Sequence, residues 1–333
     1  MQDIYNRGGV LHESDPPRSP PGAMRSPTVT GSVAFDAKAG KPCQTWYEVY
    51  GDLKSGATPV VAIHGGPGCT HHYLLSMTDL ATKYSIPIVF YDQLGNGNST
   101  HLPGKSEDEG AFWTEQLFLD ELDNLLRHLG IEDNYVLLGQ SWGGMLAARH
   151  ATRQPKGLKR LIIAGSPASI PLFVKAAKEE LVANLPLNAR DGIIKKEEAG
   201  TTDPESESEY KAAANAFYKH HVCRLDPWPA ELLQSFEWME KDPEAHCRSG
   251  ASGFYVMGSV ADYQSILEEA HKISVPTLLL NGAHDRTTGS HVYPLFKLVP
   301  KVKWFTFAES SHTPHWEERE KFMEFVAEFL SEA

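Results

Sequence analysis

Short apolar runs, several rich in Val and Ile, punctuate the chain. They read "PVVAIHG", "IPIVFYD", "YVLLGQ", "LKRLIIAG", "VPTLLLNG" and "KVKWFTFAE". Each has the length of a strand buried on both faces of a parallel sheet. Ahead of them, "GSVAFDA" and "TWYEVYG" alternate apolar with polar positions, as paired antiparallel strands do. Helical periodicity separates most of the runs. "TEQLFLDELDNLLRHLG" closes on Gly130, and "WGGMLAARHATRQP" stops at Pro155. Alternating strand and helix predicts an α/β fold, a mostly parallel doubly wound sheet.

The alternation breaks between residues 168 and 270. That stretch carries amphipathic helical pieces, "SESEYKAAANAFYKHHVC" and "PAELLQSFEWMEKD", joined by acidic, turn-rich links and without strands of the core kind. It reads as a helical cap inserted into a core made of 29–167 and 271–333. Residues 1–28 are rich in Pro, Ser and Arg without hydrophobic period, and read as a mobile extension.

Composition sharpens this only in part. At 333 residues, 41% hydrophobic and 22% charged, the chain is of globular type and long enough for a large core plus an insertion. A net charge of −12 with no basic block argues against nucleic acid or an anionic membrane as partner. No apolar run is long enough to span a bilayer, and the opening residues lack the apolar core of a signal peptide, so the expectation is a cytoplasmic protein. Cys43, Cys69, Cys223 and Cys247 are too dispersed for a zinc or disulfide framework and read as reduced thiols. The pairs His71-His72 and His220-His221 lack ligands at metal spacing. No metal or cofactor is expected, and the sequence leaves the oligomeric state open.

Chemistry enters at Gly139-Gln140-Ser141-Trp142-Gly143. It is a G-x-S-x-G pattern after a buried strand and before a helix, the context in which a serine is lifted clear of the sheet as a nucleophile. Such a hydroxyl needs a base, and the base an orienting acid, in the chain order Ser, Asp or Glu, His. Asp285 follows the strand "TLLLNG" and His312 follows the last strand. His284 and His315 compete as bases, and Asp262 competes as acid from within the cap. An oxyanion formed at the serine requires backbone donors. Trp142, the next residue, offers one N–H, and Gly66 in "HGGPG" offers the other. Neither a lysine nor G-x-G-x-x-G follows that loop, so it is not a phosphate site.

The blocks "AIHGGPGCTHHYL", "FYDQLGNGNS", "LLGQSWGGMLA", "FYKHHVCRLDPWP", "VPTLLLNGAHD" and "ESSHTPHWEERE" resemble the proline iminopeptidases, serine α/β-hydrolases with a helical cap. The resemblance runs from about Val29 to the C-terminus and implies the same triad and oxyanion donors. It also implies a cap segment G-x-x-E-F whose glutamate binds the substrate's free α-amino group. Here the segment is "GASGF", with Gly253 where the glutamate is expected and Phe254 after it. A second cap carboxylate expected near "FYKHH" is also missing, where Ala214, Asn215 and Ala216 stand. Glu207, Glu209 and Asp262 are the possible substitutes. Gly253, Phe254, Tyr255, Phe217 and Trp228 are the candidate substrate-binding residues of the cap, with Tyr218 among its aromatics.

The expected function is hydrolysis of a small amide, peptide or ester bond through an acyl-enzyme. The partner is a small molecule or short peptide. An amidase or esterase of specialised metabolites, a non-hydrolytic isomerase or cyclase, and a ligand receptor on the same fold are the alternatives.

Overall fold

The computed structural model describes residues 26–105, 112–181, 190, 204–242 and 265–332. Eight strands form one sheet: β1 (Val29–Phe35), β2 (Cys43–Tyr50), β3 (Val60–Ile63), β4 (Ile88–Asp92), β5 (Tyr135–Gln140), β6 (Leu158–Ala164), β7 (Thr277–Gly282) and β8 (Val302–Phe307). Their order is β1-β2-β4-β3-β5-β6-β7-β8. β1 pairs antiparallel with β2, and β2 antiparallel with β4; the other pairs are parallel. This is the mostly parallel doubly wound sheet that the alternation of elements predicts, in the α/β-hydrolase arrangement that the resemblance implies.

Burial follows position in the sheet. Every residue of β3, β4, β5 and β7 is buried, because helices cover both faces. β8 departs from the expectation of a strand buried on both faces. It lies at the sheet edge, where only Phe307 is fully buried.

Helix α1 (Glu115–Leu129) starts at Thr114, whose hydroxyl accepts from Leu117 N, and ends at Gly130 in the left-handed conformation. Its buried residues Phe118, Leu119, Leu122, Leu125 and Leu126 recur at helical spacing, forming one apolar stripe against the sheet. α2 (Trp142–Thr152) lies under β5 and is buried along nearly its whole length.

The insertion after β6 is helical where described: α3 (Ile170–Ala176), α4 (Pro204–His221) and α5 (Ala230–Lys241). After it come α6 (Gly289–Leu298) and α7 (Arg319–Ser331). α5 docks on the core segment after β3. The buried Ser235 hydroxyl accepts from Tyr73 N at 3.2 Å and donates to Thr70 O at 3.1 Å. Among the described residues, no helix is long and apolar enough to cross a membrane.

Candidate active site

Ser141 occupies the turn between β5 and α2 with φ 56° and ψ −123°. A non-glycine residue held there is strained, and only tight surroundings keep it so. Those surroundings are visible in its flanks. A Cβ on Gly139 would lie 2.1 Å from the Gly143 carbonyl oxygen, and one on Gly143 would lie 2.0 Å from the Ile63 carbonyl oxygen. The glycines of the motif therefore exist to let β5, α2 and β3 approach one another. Ser141 itself is part-exposed at the start of α2, where the helix dipole presents its positive end.

The structure brings Asp285 and His312 together. His312 Nδ1 lies 2.7 Å from Asp285 Oδ1, and Thr287 N donates to the same oxygen at 2.7 Å. Asp285 is 1% exposed and His312 9%. With the carboxylate ionised, Nδ1 carries the proton and Nε2 is left as the basic nitrogen. Gly165, after β6, makes room for the pair: a Cβ there would come within 3.0 Å of both Asp285 Oδ2 and His312 Nδ1.

Buried hydrogen bonds tie this pair to the serine turn. Gln140, the residue before Ser141, donates from Nε2 to His312 O at 3.0 Å. Its Oε1 accepts from the Tyr73 hydroxyl at 2.6 Å, and that hydroxyl accepts from Gly65 N at 2.7 Å. The "HGGPG" loop, the serine turn and the histidine loop thus share one chain of contacts.

A second chain holds the first loop against α2. Gln93 donates from its side chain to His64 O at 2.9 Å and accepts from Trp142 Nε1 at 3.0 Å. Gln93 N donates to His64 Nε2 at 3.0 Å, and burial lowers the His64 pKa to about 4, so this imidazole is neutral. Behind it, Asp92 accepts from His71 N at 2.9 Å and lies 2.8 Å from His71 Nδ1. Gly66 sits at φ 109°, and a Cβ on it would meet Gly68 N at 2.6 Å, so its N–H stands on a loop only glycine can build.

The competing histidines are otherwise engaged. His315 is fully buried with Nε2 3.0 Å from Tyr73 O, and burial lowers its pKa to about 3. His284 stands beside the ring of His220, and its carbonyl takes His221 Nδ1 at 2.8 Å. In the insertion, Phe217 is buried against Tyr218 and His221, and Trp228 is half-buried over Phe236 while donating to Cys223 O at 2.9 Å. Gly253, Phe254, Tyr255 and Asp262 lie outside the described residues, as do the side chains of Glu207 and Glu209. Among the described residues, no His, Cys, Asp and Glu side chains are grouped to hold a metal ion.

Gln93, Gln140 and Tyr73 escape sequence reasoning as site residues. All three sit inside the quoted blocks, which is the available signal; none is marked there as part of the site, since only folding brings Tyr73 to the serine turn.

Comparison with known proteins identifies the fold and the family. The family described as the alpha/beta hydrolase fold matches residues 58–319. The proline iminopeptidase of Thermoplasma volcanium is 34% identical over 271 residues, covering 81% of this chain and 88% of that protein. The enzyme of the same name from Saccharolobus solfataricus is 32% identical over 287 residues, 86% of this chain and 89% of its own. Among solved structures, VinJ superposes with a TM-score of 0.84 at 47% identity, covering 92% of this chain and 99% of VinJ. Proline iminopeptidase of Mycobacterium smegmatis gives a TM-score of 0.81 at 38% identity, covering 91% and 97%.

Proposed function

Because the chain belongs to the proline iminopeptidase family of α/β-hydrolases, we propose that it hydrolyses a small amide, peptide or ester bond with Ser141 as nucleophile, His312 as base and Asp285 as orienting acid. The observation that carries the reading is the strained turn at Ser141, one residue from the side chain that clamps the histidine loop.

The chemistry follows from the arrangement. His312 Nε2 takes the hydroxyl proton as Ser141 Oγ attacks the substrate carbonyl carbon. The oxyanion so formed is received by the N–H groups of Gly66 and Trp142. His312 then returns the proton to the departing nitrogen or oxygen, leaving an acyl-serine. Water, deprotonated by the same imidazole, releases the acid and restores Ser141. Residues 168–270 form the cap over this site. Phe217 and Trp228 shape it; Gly253, Phe254 and Tyr255, the other candidates, lie outside the described residues.

The finer assignment concerns the amine. An aminopeptidase selects its substrate by pairing a buried ammonium with carboxylates, and losing one such partner costs about 3–5 kcal/mol. With Gly253 at the expected glutamate position, the preferred substrate has no free amine.

Ser141→Ala should abolish turnover, and a fluorophosphonate should label Ser141 in the parent protein. Of two matched anilides, Pro-4-nitroanilide and its cyclopentanecarbonyl counterpart, the amine-free one should be cleaved at least as fast. Gly253→Glu should shift the preference toward proline. Full activity in Ser141→Ala overturns the mechanism. A proline preference above about tenfold that Gly253→Glu does not improve overturns the amine-free assignment.

A further inference from the structure

Arg286, immediately after Asp285, has no part in the chemistry above, yet its side chain reaches the space between core and cap. Its backbone N donates to His221 O at the end of α4 at 3.2 Å. Its guanidinium carbon lies 5.2 Å from the ring centroid of Phe173 on α3. Among the described residues, no carboxylate, carbonyl or hydroxyl accepts a hydrogen bond from this guanidinium. Its neighbour Asp285 gives Oδ1 to His312 and Thr287 N, and its buried Oδ2 accepts no hydrogen bond from the guanidinium.

The group is only partly exposed, and burial lowers its pKa. Its charge is felt at Tyr218 on α4, at Asp285, and at Cys69 just after the "HGGPG" loop. Asp285 holds His312, and Cys69 directly follows the loop of Gly66, so this charge lies among segments that build the site. The Tyr218 hydroxyl likewise has no partner among the described residues. The Cys69 thiol is pushed up to about 12 by burial, so it supplies no counter-charge.

A guanidinium is a planar fork of donors fitted to carboxylate and phosphate, and it is rarely left in a half-desolvated place without an acceptor. A cation at this point also disfavours an approaching ammonium, in keeping with the missing glutamate. We propose that Arg286, assisted by the Tyr218 hydroxyl, binds a carboxylate carried by the substrate, so that the enzyme acts on an anionic amide or ester. The carboxylate belongs either to the acyl part or to the leaving group.

This rests on the hydrolase reading for its consequence but is tested without turnover. Two probe pairs are titrated calorimetrically into the Ser141→Ala protein. N-phenylglutaramate against N-phenylvaleramide carries the carboxylate on the acyl side. 4-Acetamidobenzoate against 4-acetamidobenzamide carries it on the leaving group. In at least one pair the anion should bind about ten- to a hundredfold tighter, the worth of a charge-assisted hydrogen bond. Adding Arg286→Gln should remove that preference, Arg286→Lys should retain part of it, and raising the salt concentration should shrink it. Equal binding within both pairs overturns the proposal. So does a preference that survives Arg286→Gln in a protein with an unchanged circular dichroism spectrum, or one that is the same in Arg286→Lys as in Arg286→Gln and insensitive to salt. Failure of the fluorophosphonate to label Ser141 would instead strike the hydrolase reading and leave this result standing.

Discussion

Tyr73 is the residue on which the site's geometry converges. Its hydroxyl serves both Gly65 N and Gln140 Oε1, and its carbonyl accepts from Trp316 Nε1 at 2.6 Å and faces His315 Nε2. Tyr73→Phe keeps the ring and removes the bridge, leaving a buried N–H and a buried amide oxygen without partners. An unsatisfied buried polar group costs about 1–3 kcal/mol. The variant should lose roughly 2–4 kcal/mol in denaturant unfolding. Its kcat should fall by about tenfold or more with KM little changed, because positioning and not binding is disturbed. A variant as stable and as fast as the parent would show that the bridge is ornamental. The same residue explains why His315 is no rival to His312: its ring is spent holding the Tyr73 carbonyl.

At the scale of elements, α5 fastens the insertion to the core segment after β3, as the end of α4 does to the loop after β7. Ser235 is fully buried and joins Tyr73 N, Thr70 O and the Thr70 hydroxyl, and the Cys69 thiol lies 3.3 Å from Met239 Sδ. His101 also bonds to Asp242 at the end of the helix. Ser235→Ala removes the hydroxyl without adding volume, so it strands a buried N–H and a buried carbonyl together. The expected result is a loss of about 1–3 kcal/mol and faster tryptic cleavage confined to the insertion, with the sheet core persisting. Mass spectrometry of the limited digest reads this directly. Uniform cleavage along the chain, or none faster than in the parent, would show that the cap is held by other contacts.

Across the whole molecule, buried titratable groups set how stability answers to pH. Burial lowers His64, His72 and His150 to about 4 and His315 to about 3. Each is neutral in the folded chain and takes up a proton near 6.5 when unfolded. A depressed histidine pKa contributes stability that is present above 6.5 and is lost as pH falls toward 4. Glu121 opposes them: burial pushes its carboxyl up to about 7, despite hydrogen bonds from the Thr45 hydroxyl and Leu94 N. A raised carboxyl pKa loses stability as pH rises from the ordinary carboxylate range toward 7. Near pH 5 the unfolded chain therefore holds a net excess of roughly two to three protons from these groups. Stability should climb by about 3–4 kcal/mol per pH unit there and level off above pH 7. Urea unfolding at pH 5, 6 and 7 tests this, and a flat profile would mean that the buried histidines are hydrated in solution.

The sequence by itself determined the sheet and the outline of its chemistry. The Val- and Ile-rich runs have the length of strands covered on both faces, and G-x-S-x-G between such a run and a helix fits a tight turn; in the structure a Cβ on Gly139 or Gly143 would lie about 2 Å from a backbone carbonyl oxygen. Local pattern suffices there because burial and backbone sterics act within a few neighbouring residues. It failed at β8, where apolar content suggested an interior strand and only the strand order shows an edge. Side chains whose meaning depends on a distant neighbour were beyond it. Tyr73 and Gln140 are 67 residues apart, and Gln140 and His312 are 172 apart. Arg286 next to the acid looked like an ordinary loop cation. Only the packing of the insertion against the core sets its charge where no described residue accepts a hydrogen bond from it, because pairing is decided by which surfaces meet and no short stretch of chain records that.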